Sequence, residues 1–208
     1  MIIRPHYMKM LKTYRDVPLV KILAGVRRCG KSTILEMLRD DLRSSGIPED
    51  HIIFERYTSE YIDEDITDRG MHDAIKGKMT DGNRYYILLD EVQEISGWEK
   101  AVNSLLENAN TDIYVTGSNS KLMSSEISTY LTGRYISIPV FTLSFAEYLD
   151  FKKSSDSSVK ELLNEYIRTG GFPIVALGNF DDRSAYQIVE GIYTSVITNY
   201  ISRRHNVT

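Results

Sequence analysis

The chain has 208 residues, enough for one generous domain or for one domain with a small appendage. Its 42% hydrophobic and 26% charged content is ordinary for a globular fold, and a formal net charge of −4 argues against a whole-surface nucleic-acid footprint. No apolar run approaches membrane-spanning length, the opening Met1-Ile2-Ile3-Arg4-Pro5-His6 lacks the core of a signal peptide, and the single cysteine, Cys29, excludes an internal disulfide. The expected setting is the cytoplasm, with no membrane partner.

In chain order, the first strong signal is Leu19-Val20-Lys21-Ile22-Leu23-Ala24, a short apolar run between Pro18 and Gly25 that predicts a buried strand. Residues 25–32 follow as Gly25-Val26-Arg27-Arg28-Cys29-Gly30-Lys31-Ser32. Ile34, Leu35, Leu38 and Leu42 then recur at helical spacing until Ser44-Ser45-Gly46. Further apolar runs predict strands at 51–57, at Tyr85-Tyr86-Ile87-Leu88-Leu89 before Asp90-Glu91, and at Ile113-Tyr114-Val115-Thr116 before Gly117-Ser118-Asn119. A fifth falls at Tyr135-Ile136-Ser137-Ile138, closed by Pro139. Between them, Trp98, Ala101, Val102, Leu105, Leu106 and Ala109 mark a helix, for which Ser96 and Glu99 offer a capping box. Ser144 and Glu147 repeat that device, with Leu143 placed as a staple.

Apolar strands alternating with helices predict an α/β fold, a mainly parallel five-stranded sheet covered on both faces. Past about residue 150 the strand signals stop. Ser154-Ser155-Asp156-Ser157-Ser158 reads as a linker, Val159 to Ile167 as a helix broken by Gly170-Gly171-Phe172-Pro173, and 184–201 as a longer helix. The expected organisation is a core over 1–150, including an N-terminal helix, and a helical lid or linker over 151–208.

Residues 25–32 match G-x-x-x-x-G-K-[ST] at every fixed position. Glycines let the backbone curl so that successive N–H groups face phosphate oxygens, Lys31 brings a cation to the β- and γ-phosphates, and Ser32 offers a hydroxyl to Mg²⁺. Strand, loop and helix together put a triphosphate on a helix N-terminus, so the expected binding stretch runs from Gly25 through Thr33. Ligands of an open parallel sheet lie beyond the carboxyl ends of its strands. Asp90, at one such end, is placed to hold Mg²⁺ directly or through water, and Glu91 to polarise an attacking water. Asn119 or Ser118, after the fourth strand, is placed to orient that water or the γ-phosphate. Arg134, before the fifth, is an arginine suited to neutralising charge on a transferred phosphate.

The doubled arginine in the loop, Leu89-Asp90-Glu91-Val92-Gln93-Glu94, the Trp98 helix, Thr116-Gly117-Ser118-Asn119-Ser120 and Leu131-Thr132-Gly133-Arg134-Tyr135 together resemble one family. It is the prokaryotic AAA-superfamily P-loop ATPases that usually carry a C-terminal domain of unknown function. Leu143-Ser144-Phe145 and Gly170-Gly171-Phe172-Pro173 extend the resemblance along nearly the whole chain. It implies an additional-strand P-loop core, with Glu91 as the catalytic acidic residue, Asn119 as the water sensor and Arg134 in the arginine-finger position. Because members run well beyond residue 208, it also implies that these residues are the ATPase module alone.

The reading is therefore Mg²⁺-dependent hydrolysis of ATP to ADP and phosphate, coupled to a partner protein, to DNA or to the missing domain, with homo-oligomerisation open. ATP is preferred to GTP because no Asn-Lys-x-Asp motif follows the fourth strand. A slow nucleotide-dependent switch and a DNA-associated motor are the competing readings, the motor disfavoured by net charge. The scattered histidines carry no zinc spacing. Cys29, beside Lys31 and a helix start, is either a reactive thiol or a small residue suited to a tight loop.

Overall fold

In a computed structural model of the chain, residues 2–57, 66–108, 110–118, 129–153 and 155–205 are described, with side chains through residue 198. The elements are α1 (Pro5–Thr13), β1 (Val20–Gly25), α2 (Lys31–Ser44), β2 (Ile52–Arg56), α3 (Asp68–Lys78), β3 (Tyr85–Asp90), α4 (Trp98–Leu106), β4 (Thr111–Ser118), β5 (Tyr135–Val140), α5 (Phe145–Phe151), α6 (Val159–Thr169), α7 (Pro173–Leu177) and α8 (Asp182–His205). They divide into two compact units, one of residues 5–25 and 31–139, the other of 1–4, 26–30 and 140–208.

The first unit holds the sheet, five strands in the order β2-β3-β4-β1-β5. The pairs β2–β3, β3–β4 and β4–β1 are parallel, in registers that set Arg56 beside Asp90 and Gly25 beside Ser118. Strands buried on both faces need apolar residues at successive positions. Val20, Ile22, Ala24, Tyr85, Ile87, Leu89, Ile113 and Val115 face one core, which Met71 and Ile75 of α3 and Trp98, Ala101, Val102 and Leu105 of α4 complete. Alternate strand residues such as Leu23 and Leu88 are equally buried and belong to the opposite face, where α2 buries Ile34, Leu35, Leu38 and Leu42 and α1 packs on α2.

One charged residue lies inside β1. Lys21 is fully buried and donates to Asp112 and, at 2.6 Å, to the Val17 carbonyl. The other Asp112 oxygen accepts from Tyr114 Oη and from the Asp16 amide, both at 2.9 Å. Burial pulls the lysine below its ordinary value, and Asp112 opposes that pull. Every polar group of the pair is thus met, and the chain entering β1 is pinned to β4.

Three local expectations change. Pro139 lies within β5 and does not close it. The sheet order makes β5 an edge strand, where a missing N–H costs no ladder bond on the open side. Ser96 and Glu99 form no capping box: α4 starts at Trp98 after the left-handed Gly97, and Glu99 is buried. Ser158, read as linker, instead caps α6, its hydroxyl accepting from the Glu161 amide while Glu161 accepts from the Ser158 amide.

The second unit is helical. Ser144 and Glu147 form the expected capping box on α5, and Leu143 shares an apolar cluster with Tyr148, Leu162 and Ala176. Gly170 ends α6 at a positive φ of 74°, and Pro173 opens α7 at its first turn, where its missing N–H is no loss.

Candidate functional site

The parallel registers bring the ends of β1, β2, β3 and β4 to one edge of the sheet. There Asp90 is almost completely buried, at 1% exposure, and accepts hydrogen bonds from three elements. Ser32 Oγ at the start of α2 donates to Oδ1 at 2.9 Å, Thr116 Oγ1 of β4 donates to the same oxygen at 2.6 Å, and Arg56 Nε at the end of β2 donates to Oδ2 at 3.1 Å. A carboxylate that enters a core must be met this way. Arg56 also reaches Glu36 at 2.6 Å, and that bond is the main cause holding its guanidinium above its ordinary value.

Lys31 is buried and donates to the Gly25 carbonyl at 3.1 Å, across the mouth of the strand it follows. Its ammonium lies 3.9 Å from Glu91 Oε1. Glu91 takes a left-handed conformation, φ 55°, unusual for a residue with a side chain, so the chain turns sharply as β3 ends. The Glu91 amide donates to Thr116 Oγ1 at 3.0 Å, and its second oxygen accepts from Gln93 Nε2 at 2.5 Å. One β4 hydroxyl therefore touches both members of the acidic pair.

The loop residues Val26–Gly30 belong to the other unit. Gly30 has φ 100°, and Arg28 takes the left-handed conformation at φ 66°. Val26, Arg27 and Arg28 are exposed, as is Thr33 in α2. Cys29 is fully buried, a packed small residue closed to solvent, which removes the geometry a reactive thiol needs.

Of the residues expected to carry chemistry, Lys31, Ser32, Asp90 and Glu91 come together. Arg134 does not join them. Its carbonyl accepts from the Val20 amide at 2.9 Å, at the start of β1, about 16 Å along the strand from Gly25. Its guanidinium is half-exposed and bonds Asn103 at 3.1 Å beside Glu107 at 3.7 Å. Asn119 lies outside the described residues. Thr116, Arg56 and Gln93 also touch the acidic pair; Thr116 and Gln93 stand in the quoted motifs with no part assigned to them, and Arg56 stands in none. The available signal was a threonine closing the apolar run of β4 and an arginine ending β2.

The donor set suits Mg²⁺. A hydroxyl and a carboxylate are the hard oxygens this ion takes, and 2.9 Å is close to the separation of about 3 Å between adjacent ligands of an octahedral ion bound at 2.0–2.1 Å.

A glycine loop between β1 and α2, on a five-stranded parallel sheet of this order flanked by helices, defines a P-loop nucleotide-binding fold. The family of AAA domains matches residues 18–149, most of the chain, which belongs to that family. An uncharacterized protein of Haemophilus influenzae is 38% identical over all of the chain and 52% of its own length. Another, from Methanocaldococcus jannaschii, is 30% identical over 90% of the chain and 43% of its own length. The chain thus spans about half the length of these relatives. Among solved structures, the fold is similar to the Saccharomyces cerevisiae Hsp104:casein complex, with TM-score 0.53 and 14% identity over 91% of this chain and 38% of that one. It is also similar to AMPPCP-bound DnaA of Aquifex aeolicus, with TM-score 0.51 and 14% identity over 99% and 70%. Among the described residues no helix is long and apolar enough to cross a membrane.

Proposed function

We propose that this chain binds ATP with Mg²⁺ and hydrolyses it to ADP and phosphate in the cytoplasm. The observation that carries the reading is the convergence at one sheet edge of Lys31, Ser32, Asp90 and Glu91. Membership among AAA domains supports it, and so does a fold shared with a protein solved around an ATP analogue. The backbone of residues 25–30 would cradle the phosphates, with Lys31 as the cation at their terminal oxygens. Ser32 and Asp90 would hold Mg²⁺, which when bound neutralises charge on the phosphate tail. Glu91 would take the proton of the attacking water, and Asn119 would orient that water.

Turnover is the test. Glu91→Gln keeps ATP binding and lowers hydrolysis by about 10²-fold or more, the usual reach of a general base; a variant as fast as the parent refutes the assignment. A second reading, a slow switch, draws on one observation: Glu91 is already engaged by Lys31 and Gln93, which compete with its use as a base. Stoichiometric nucleotide retained through purification, with negligible turnover, would favour the switch. Coupling to a partner protein, to DNA or to a further domain belongs to the same proposal, because the relatives are about twice as long.

A further inference from the structure

Arg4 precedes the first helix in a stretch that sequence reading passed by, yet its side chain is 4% exposed. A guanidinium buried to that degree needs partners for all of its donors. Nε donates to Glu147 Oε1 at 2.8 Å and Nη2 to Glu147 Oε2 at 3.1 Å, the two-pronged pairing that only arginine makes. Nη1 donates to the Phe141 carbonyl at 3.0 Å and Nη2 to the Thr142 carbonyl at 3.3 Å. The fifth donor, again on Nη1, reaches the Cys29 carbonyl in the glycine loop at 3.2 Å.

That last bond matters because of peptide geometry. In a planar trans peptide, C=O and N–H point in opposite directions, so holding the Cys29 carbonyl aims the Gly30 N–H away from Arg4. Gly30 is the second fixed glycine of the phosphate pattern, and a loop that binds phosphate does so through such N–H groups. The same unit draws in both other stretches that the sequence singled out. The Leu143 amide donates to the Gly171 carbonyl at 2.6 Å, and a Cβ built on Gly30 would sit 3.8 Å from Pro173 Cγ. Glu147, which caps α5 from within, is pushed up by burial but drawn further down by Arg4 and Ser144, so it stays anionic below its usual range.

We infer that Arg4 is a positioning residue for a nucleoside-phosphate ligand: it presets the Cys29–Gly30 peptide for phosphate and ties it to residues 141–147, linking ligand binding to the entrance of α5. The inference rests on the nucleotide reading above. Linkage runs both ways, so a ligand that locks the loop must quieten 141–147, and a change at Glu147 must be felt in affinity.

The test is MgADP binding together with hydrogen exchange of 141–147 and 170–173, with and without MgADP. In the parent, MgADP slows exchange in both stretches. Arg4→Gln weakens MgADP by about tenfold or more, as expected for lost charged hydrogen bonds, and abolishes the MgADP-dependent slowing at 141–147. Arg4→Lys, which keeps charge without the fork, falls between. The slowing is a difference taken within each variant, so a merely structural role leaves it in place. If Arg4→Gln does not fold, Arg4→Lys and Glu147→Gln carry the same comparison. Variants with parental affinity and parental slowing overturn the inference alone. A parent chain that binds no MgADP overturns the nucleotide reading and this inference with it.

Discussion

Asp90 and Glu91 are neighbours in sequence with opposite surroundings. Asp90 sits at the buried end of a strand with donors on both oxygens, while Glu91 turns out through a left-handed residue to face Lys31. That division follows from the alternation of side chains in β3 and from the turn that ends it, and it suits one carboxylate to holding a cation and the other to handling a proton. The motif made both acids legible, because a strand ending in Asp-Glu after a phosphate loop has few other uses. The partners of Asp90 were not legible, since Arg56 and Thr116 reach it only through strand pairing. A titration at Glu147 separates its own contribution. Its carboxyl lies below the ordinary 4.5: burial raises it, and hydrogen bonds from Arg4 and Ser144 lower it by more. A depressed carboxyl stabilises the fold fully above its unfolded value and loses that contribution as pH falls through the folded one. The difference in urea midpoint between the parent and Glu147→Gln is therefore greatest at neutral pH, begins to shrink below 4.5, and vanishes at lower pH.

At the scale of elements, the helix caps show how far spacing alone goes. Ser144–Glu147 and Ser158–Glu161 close real boxes because each serine takes an extended conformation just before a helix. Ser96–Glu99 has the same spacing and none of the geometry, because the chain enters α4 through a left-handed glycine and Glu99 is packed inside. Gly171 has a requirement that no spacing reveals. A Cβ there would stand 2.2 Å from the Leu143 carbonyl oxygen, closer than atoms can approach. Gly171→Ala must push the strands of chain apart and break the Leu143–Gly171 hydrogen bond, at a cost of about 1–3 kcal/mol measured by urea unfolding. Hydrogen exchange at the Leu143 amide would rise in the same variant, whereas an unchanged amide would mean that the contact relaxes elsewhere.

At the scale of the whole molecule, Arg134 raises the question of assembly. It stands at the opposite end of β1 from Gly25, so it has no part in the phosphate site of its own chain. We propose that Arg134, half-exposed and bonded to Asn103 beside Glu107, serves the site of a second copy. On that proposal, specific turnover rises with protein concentration as oligomers form. Arg134→Ala keeps ATP binding and loses at least about 10³-fold in rate, the effect of removing an arginine finger. Turnover independent of concentration, with a monomer in sedimentation, would refute a shared site.

By itself the sequence determined the alternation of buried strands and helices, the phosphate loop and the acidic pair, because burial periodicity and phosphate chemistry are written in local spacing. Tertiary structure alone decided that β1 lies between β4 and β5, that Thr116 and Arg56 close on Asp90, that Arg134 faces away, and that Arg4 reaches the loop. Each of these joins residues far apart in the chain, and such pairings are set by how sheet and helices pack rather than by any local pattern.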